Sequence, residues 1–413
     1  MTGVQTCALP IFASAIASLL RAAAADAPVA LLCDDVDVAD EASLELLRGL
    51  VFRLADAPVV IVCSARPELL ERRPGWGDGL DLHVRVDLAP LARRHIEEMA
   101  RDRLAPVAEL PADLVRNLAD RAEGNPLILV ESLHLLVDAG VVVRADGAPW
   151  TVRGDALEAL ALPGTVAEVV QARLDRLPPE DRAVLGCAAV VGRTFWEGAI
   201  EHLYRTVAGA MPTHLAAAAV PAERGVVAAA LARLRDRHLV RGRDVSSLQG
   251  ERELVFAEWA TQEVAYETWS ARVRAPLHRA AAVWLERHAP GDAWAAQLAL
   301  HHDRGGDLRR AAEAHARAAA HASALGRNAD ALRHLARVRE IHVEAEGTPA
   351  ATSGADRRVA SWRERARLRL ELGDALRRAG KLDEAERAYD EARRGVLAHE
   401  RRPEAAPEAA ETI

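Results

Sequence analysis

The chain has 413 residues, half of them hydrophobic and 28% charged, with a net charge of −8. That length accommodates roughly two to four domains with packed cores. The acidic balance and the lack of a basic block argue against nucleic acid as the main partner, because duplex binding leans on concentrated positive charge.

Arginine almost wholly replaces lysine, whose single occurrence is Lys381. The cysteines at 7, 33, 63 and 187 have no C-x-x-C spacing, so neither a zinc site nor a disulfide framework is indicated, which fits a reducing cytoplasm. Cys33 and Cys63 lie in apolar runs and read as small core residues. No apolar run approaches ~20 residues, so no membrane helix is expected. The apolar stretch ALPIFASAIASLL imitates a signal peptide without the basic segment that should precede it. Residues 1–11, MTGVQTCALPI, resemble an in-frame translation of a sequencing adapter. They are set apart as a non-native leader, and the natural sequence is then expected to begin near Phe12, inside a gene.

Residues 12–26 read as a helix with Ile16, Leu19 and Leu20 on one side. VALLC (29–33) is a continuous apolar run of the kind found in parallel strands covered on both faces. Leu44, Leu47, Val51 and Leu54 recur at helical spacing after Asp40, a suitable N-cap. PVVIVCSA (58–65) is the next buried strand, and LHVRVDL (82–88) alternates. This order predicts an α/β layer in which 29–33 pairs with 58–64 in parallel.

Beyond residue 90 strands nearly vanish. LARRHIEEMARDRL, LPADLVRNLADRAEG and NPLILVESLHLLVDAGVV are amphipathic helices, the last stopped by Gly140, and a polar stretch (144–155) follows. Three helices and two short strands then give the order of a winged helix, with 203–225 as an irregular insertion. From 276 the chain is helical with a repeat-like period. Leu372, Gly373, Leu376, Gly380, Ala385, Tyr389 and Ala392 fall where a tetratricopeptide repeat places its packing residues. Weaker echoes lie at Gly306/Ala311/Ala318 and Gly326/Ala331/Leu335. Residues 344–358 read as a flexible linker and 401–413 as a disordered tail. His301, His302 and His315 read as repeat-surface residues.

Chemistry concentrates in three places. Asp34 and Asp35 end an apolar strand, where one carboxylate can hold Mg²⁺ through water and the other can orient an attacking water; they also suit a simple capping pair. Arg66 ends the next strand, where a guanidinium can sense a phosphate, or it is a surface arginine before Pro67. Gly124-Asn125-Pro126 is either a nucleotide contact or a helix start, with Asn125 as N-cap and Pro126 at the first helical position.

Taken in order, LLCDDVDVADEASLELL, VVIVCSARPEL, AEGNPLILVESL, LPGTVAEVVQARLDRLPPEDRAVLGCAAVVGRTF and FAEWATQEVAYE resemble the bacterial signal-transduction ATPases with numerous domains, within the AAA+ class. The resemblance spans about residues 12–400. It implies a partial P-loop parallel sheet (12–90), a helical lid (91–155), a winged helix (156–275) and tetratricopeptide-like repeats (276–400), an α/β fold followed by an all-α one. It makes Asp34 the Mg²⁺-side Walker B acid, Asp35 the catalytic acid and Arg66 the sensor arginine. Gly124, Asn125 and Pro126 become the nucleotide-contacting motif, with Pro126 against adenine. ATP or ADP with Mg²⁺ is the implied cofactor. Protein partners on the repeats and an upstream kinase, cyclase or other output domain are implied in the full-length protein.

The partner motif G-x-x-x-x-G-K-[ST] is absent from the sequence. The chain is therefore not expected to hydrolyse ATP alone, and 82–88 is expected either to lie displaced from the first two strands or to be separated from them by a gap, leaving unpaired edge groups. Val38 replaces the family's tryptophan and Glu258 its ADP-contacting histidine, which implies a weaker resting lock. Two other readings stay open: a nucleotide-independent scaffold acting through the repeats, and DNA binding through the locally basic 231–243.

Overall fold

The computed structural model describes residues 8–80, 82–145, 147–154, 162–208, 225–347, 362–378 and 380–400. Most of the leader, most of the 203–225 insertion, the greater part of the 344–358 linker and the tail lie outside the described residues. The chain divides into two compact units. One comprises Met1–Arg85 with Gly291–Asp303 and Asp307–Ile413, and the other Val86–Pro290 with Arg304–Gly306.

In the first unit the order is α1 (Ala8–Ala24), β1 (Val29–Cys33), a short 3-10 turn (Val36–Val38), α2 (Glu41–Arg53), β2 (Val59–Cys63) and α3 (Glu68–Arg72). Asp40 caps α2 by accepting from the Ser43 amide at 2.7 Å. β1 and β2 pair in parallel, Val29 opposite Val59 through Cys33 opposite Cys63, as the sequence predicts. The expectation of strands covered on both faces fails. α1 and α2 both lie on one side, where Ala17, Leu50 and Leu54 pack with Val59 and Ile61. Leu32 on the other side is 74% exposed, and Val60 and Val62 share that open face. Residues 82–88 form no strand, and Leu82, Val84, Val86 and Leu88 are all exposed.

The same unit carries the C-terminal helices Leu308–Ala324, Asn328–Gly347, Trp362–Arg378 and Leu382–Glu400. The helix before the expected linker therefore reaches Gly347. Gly326 and Gly380 hold positive φ (75° and 77°) at the turns between paired helices, where a side chain would be strained. Alanines such as Ala311, Ala331 and Ala375 are fully buried and let the helices approach. At Gly373 a Cβ would stand 2.5 Å from the Tyr389 ring, so the glycine admits that ring. His301, His302 and His315 are buried, against the expectation of a repeat surface. His315 Nδ1 meets His334 Nδ1 on the next helix at 2.9 Å.

The second unit opens with α4 (Arg93–Arg103), α5 (Ala112–Ala122) and α6 (Pro126–Asp138), whose core includes Ile96, Leu114, Leu118, Leu129 and Leu136. The polar stretch after α6 contributes to a small antiparallel ribbon, β3 (Val142–Val143) with β4 (Thr151–Val152). Then follow α7 (Val166–Leu174), α8 (Pro179–Val191), β5 (Thr194–Trp196), α9 (Glu197–Ala208), α10 (Val226–Asp236), β6 (Val240–Gly242) and β7 (Glu253–Phe256). The three short strands form one antiparallel sheet in the order β5-β7-β6. From α8 to β7 this is helix–strand–helix–helix–strand–strand, a winged-helix order. The sequence reading lacked β5 and α9. Residues 203–208, assigned there to the irregular insertion, are the end of α9, and Leu203 and Tyr204 are buried.

α11 (Trp259–Glu267) and α12 (Ala271–His288) complete this unit. His278 on α12 is 1% exposed and shares a 3.0 Å hydrogen bond with the Tyr266 hydroxyl. Burial, then the charges of Arg304 and Arg274, push its imidazole down to about 4. The unfolded chain takes up this proton near the ordinary histidine value of 6.5, and the folded chain only near 4. Stability linked to His278 is thus full above pH 6.5 and falls as the pH drops toward 4, by on the order of 3 kcal/mol. Urea unfolding at pH 7.5 and 5 will show about 2 kcal/mol of that loss in the wild type and a smaller loss in His278→Gln.

Candidate functional site

The carboxyl ends of parallel strands are where α/β layers expose backbone and side chains to a ligand. Here β1 runs into Asp34-Asp35 and β2 into Ser64-Ala65-Arg66, and the parallel register sets these two ends side by side. Beyond the strands the ladder continues for one step. The Ser64 amide donates to the Cys33 carbonyl at 2.9 Å and the Val36 amide to the Ser64 carbonyl at 3.0 Å. The Ser64 hydroxyl donates to Asp34 Oδ1, and Asp34 Oδ1 also accepts from the Asp35 amide at 3.1 Å. Asp34 is therefore oriented by its neighbours and remains exposed to solvent. Asp35 takes a left-handed backbone (φ 51°), which aspartate tolerates better than most residues. The structure thus brings Asp34 and Asp35 together with the segment that bears Arg66, whose amide donates to Asp37 Oδ1 at 3.2 Å.

Sequence reasoning missed Ser64, whose only signal was a hydroxyl directly after the apolar run of β2. It also missed the arginines that brace the loop after Asp35. Arg72 donates to the carbonyls of Asp37 and Ala39 and pairs with Glu41 at 2.8 Å. Arg73 pairs with Glu41 and with Glu45. Burial acts to raise the Glu41 carboxyl, and the bonds from Arg72 and Arg73 outweigh it and hold it below its usual range. Arg327, at the start of a C-terminal helix, pairs with Asp40 at 2.6 Å, tying the repeats to the loop that follows the two acids.

Gly124, Asn125 and Pro126 belong to the second unit. Gly124 has φ +83°, and a Cβ there would stand 2.5 Å from the Leu91 carbonyl oxygen and 2.7 Å from Pro90. The Leu91 amide donates to the Gly124 carbonyl at 2.8 Å, so this glycine allows one backbone to rest on another. Asn125 Oδ1 accepts from the Leu127 amide at 2.9 Å and Pro126 opens α6, which is a helix start with side-chain cap and proline in their usual places.

The basic stretch 231–243 is largely tied down within the fold. Arg233 chelates the buried Asp181, Arg237 lies 3.4 Å from Asp138, Arg243 pairs with Glu253 at 2.7 Å, and Arg241 donates to the Ala257 carbonyl. Each of these guanidiniums meets an acceptor on the protein, while Arg233 and Arg243 remain 44% and 53% exposed.

Gly124→Ala will lower stability by about 1–3 kcal/mol, because positive φ and a backbone clash coincide there. Asn125→Ala, which loses only the cap, will lower it by about 1 kcal/mol. Urea unfolding followed by circular dichroism ranks the two, and equal losses would refute the close-approach role of Gly124.

No protein-family model matches this chain. No curated protein matches it either. Among solved structures, the chain is similar to a Signal Transduction ATPase with Numerous Domains protein with a tetratricopeptide repeat sensor from Pyrococcus horikoshii, at 11% identity and a TM-score of 0.41. The match covers 97% of this chain and 66% of that one, so the chain spans just under two thirds of that protein's length. Residue roles do not transfer at that distance.

Proposed function

We propose that the chain is the carboxylate half of an ATP-binding regulatory switch of bacterial signal transduction or transcriptional control. The observation that carries this reading is the placement of Asp34 and Asp35 at the carboxyl end of β1, beside Ser64 and Arg66 at the end of β2. In it Asp34 holds Mg²⁺ through water, Asp35 orients the attacking water and Arg66 reads the γ-phosphate, while Gly124-Asn125-Pro126 borders the nucleotide. Residues 12–90 are the core, 91–155 the lid, 156–275 the winged helix and 276–400 the repeats that take protein partners. Nucleotide state then moves winged helix and repeats against the core.

The donor set fits this cofactor in part. Asp34 is oriented and solvent-exposed, as a water-mediated Mg²⁺ contact requires. The phosphate side lacks its partner: the sequence has no G-x-x-x-x-G-K-[ST], and its single lysine, Lys381, precedes the last helix. A nucleotide-independent scaffold working through the repeats is the second reading, and this missing phosphate cradle is what favours it.

Phosphate release separates the outcomes. The chain as it stands will show no ATP hydrolysis above an Asp34→Asn/Asp35→Asn control. In a version extended upstream to include a G-x-x-x-x-G-K-[ST] segment, Asp35→Asn will lower hydrolysis by about 10²–10⁴-fold. In that same version Glu258→His will slow ADP release. Hydrolysis indifferent to both acids would remove them from the site, and an unchanged ADP off-rate would remove Glu258 from the lock.

A further inference from the structure

We propose that Cys33 and Cys63 form an oxidisable dithiol, which closes an intrachain disulfide across the two parallel strands when hydrogen peroxide reaches it. The two residues are direct register partners at the ends of β1 and β2. Their side chains point to the same, helix-covered face, where both pack against Val36, Leu44 and Leu69. Neighbouring strands lie ~4.8 Å apart, inside the ~4.4–6.8 Å range of Cα separations that a disulfide spans. Both thiols are only half-buried, so a small oxidant can enter without unfolding the layer. The register is held on either side of the pair by the bonds from the Val29 amide to Pro58 and from the Ser64 amide to Cys33.

The contrast with Cys187 is clear. That thiol is fully buried, burial pushes it up to about 12, and it packs inside α8. Within the pair, burial and then the neighbouring Cys33 push the Cys63 thiol up to about 11. The chemistry is the same whichever sulfur attacks first; with Cys33 attacking, Cys63 is the resolving sulfur.

The chemistry balances in two steps. The Cys33 thiolate attacks one peroxide oxygen, so that the S–O bond forms, the O–O bond breaks, and the departing hydroxide takes up a proton to leave as water. The Cys63 sulfur then attacks the sulfenic sulfur, so that the S–S bond forms and the S–O bond breaks. The second water carries away the Cys63 proton. Two thiols lose two electrons and the peroxide gains them. The bridge closes a loop that contains all of α2 and lies one residue before both Asp34 and Ser64. It therefore fixes the spacing of the two strand ends, whether or not a nucleotide binds there.

Trypsin cleaves after Arg21, Arg48, Arg53 and Arg72, with Arg66 protected by Pro67, so Cys33 and Cys63 fall in separate peptides, 22–48 and 54–72. The whole chain is treated with peroxide, alkylated, digested and read by mass spectrometry, natively and in parallel in concentrated urea. The expected product is the linked pair of peptides, lighter by two hydrogens and split by dithiothreitol. It should be about threefold more abundant natively than in urea, where the four cysteines pair at random among three connectivities. A rise in the native thermal midpoint that dithiothreitol reverses accompanies it, and Cys33→Ser and Cys63→Ser abolish both. Recovery of both cysteines as alkylated thiols, their conversion to sulfinic acid without a bridge, or the same mixture of pairings with and without urea overturns the proposal.

Discussion

One buried guanidinium sets the arrangement of the second unit. Arg173, 1% exposed, uses its whole planar fork: Nε donates to Asp138 at 2.9 Å, Nη1 to Glu131 at 2.5 Å and Nη2 to the Arg237 carbonyl at 2.6 Å. A permanent charge away from water is tolerated only when its donors are met, and breaking such a pair typically costs about 3–5 kcal/mol. The acceptors come from α6 and from the residue after α10, while the arginine stands on α7. Those elements can meet the fork in one relative placement, so the network specifies how the three helices assemble. Burial acts to raise the Glu131 carboxyl, and the neighbouring His134 with the charge and hydrogen bond of Arg173 outweigh it, leaving it below its usual range. His134 in turn stacks on His238 at 5.3 Å, which extends the junction to the strand that begins at Val240. A lysine could not replace this arginine, since an ammonium lacks the planar fork that reaches three acceptors together.

Arginine's dominance of the cationic residues has a structural counterpart here. Arg233 on Asp181, Arg337 on Asp303 and Arg72 and Arg73 on Glu41 are all pairs in which a guanidinium clamps a carboxylate carried by a different segment. The arginine-rich composition thus supplies many of the cross-links between helices. Several arginines of the locally basic 231–243 act in the same way, Arg233 on Asp181 and Arg243 on Glu253.

The sequence was most readable where local pattern and tertiary role agree. An apolar run ended by acids gave β1, its repetition gave β2, and the parallel register followed from a crossover helix between them. Asp40 and Asn125 were legible as caps because a cap is decided by a few adjacent residues. What escaped depends on partners distant in the chain. The apolar runs of β1 and β2 look alike whether one face is covered or both, so the open face carrying Leu32, Val60 and Val62 had no local signature. β5 is three residues long, too short for periodicity to reveal, and exists because β7 pairs with it. Histidines spaced along a helix read as surface, yet His315 is buried and meets His334 on the next helix. At the candidate site, the two acids and the arginine were visible as types at strand ends. Ser64, which holds Asp34, was not, since a serine after a strand is common. The facing of Cys33 and Cys63 needed the register itself.

The two-stranded layer has a consequence for how its backbone meets water. In a strand, the amides of successive residues point to opposite edges, so each strand of a pair directs every second amide toward its partner and the others away. Among the described residues β1 and β2 have no further neighbours, and their outer amides find no ladder acceptor. Protection from solvent exchange along VALLC and VVIVC therefore alternates residue by residue. The layer that presents Asp34 and Asp35 is locked along its central seam and open along both rims, and any additional strand would find half of its hydrogen bonds already waiting there.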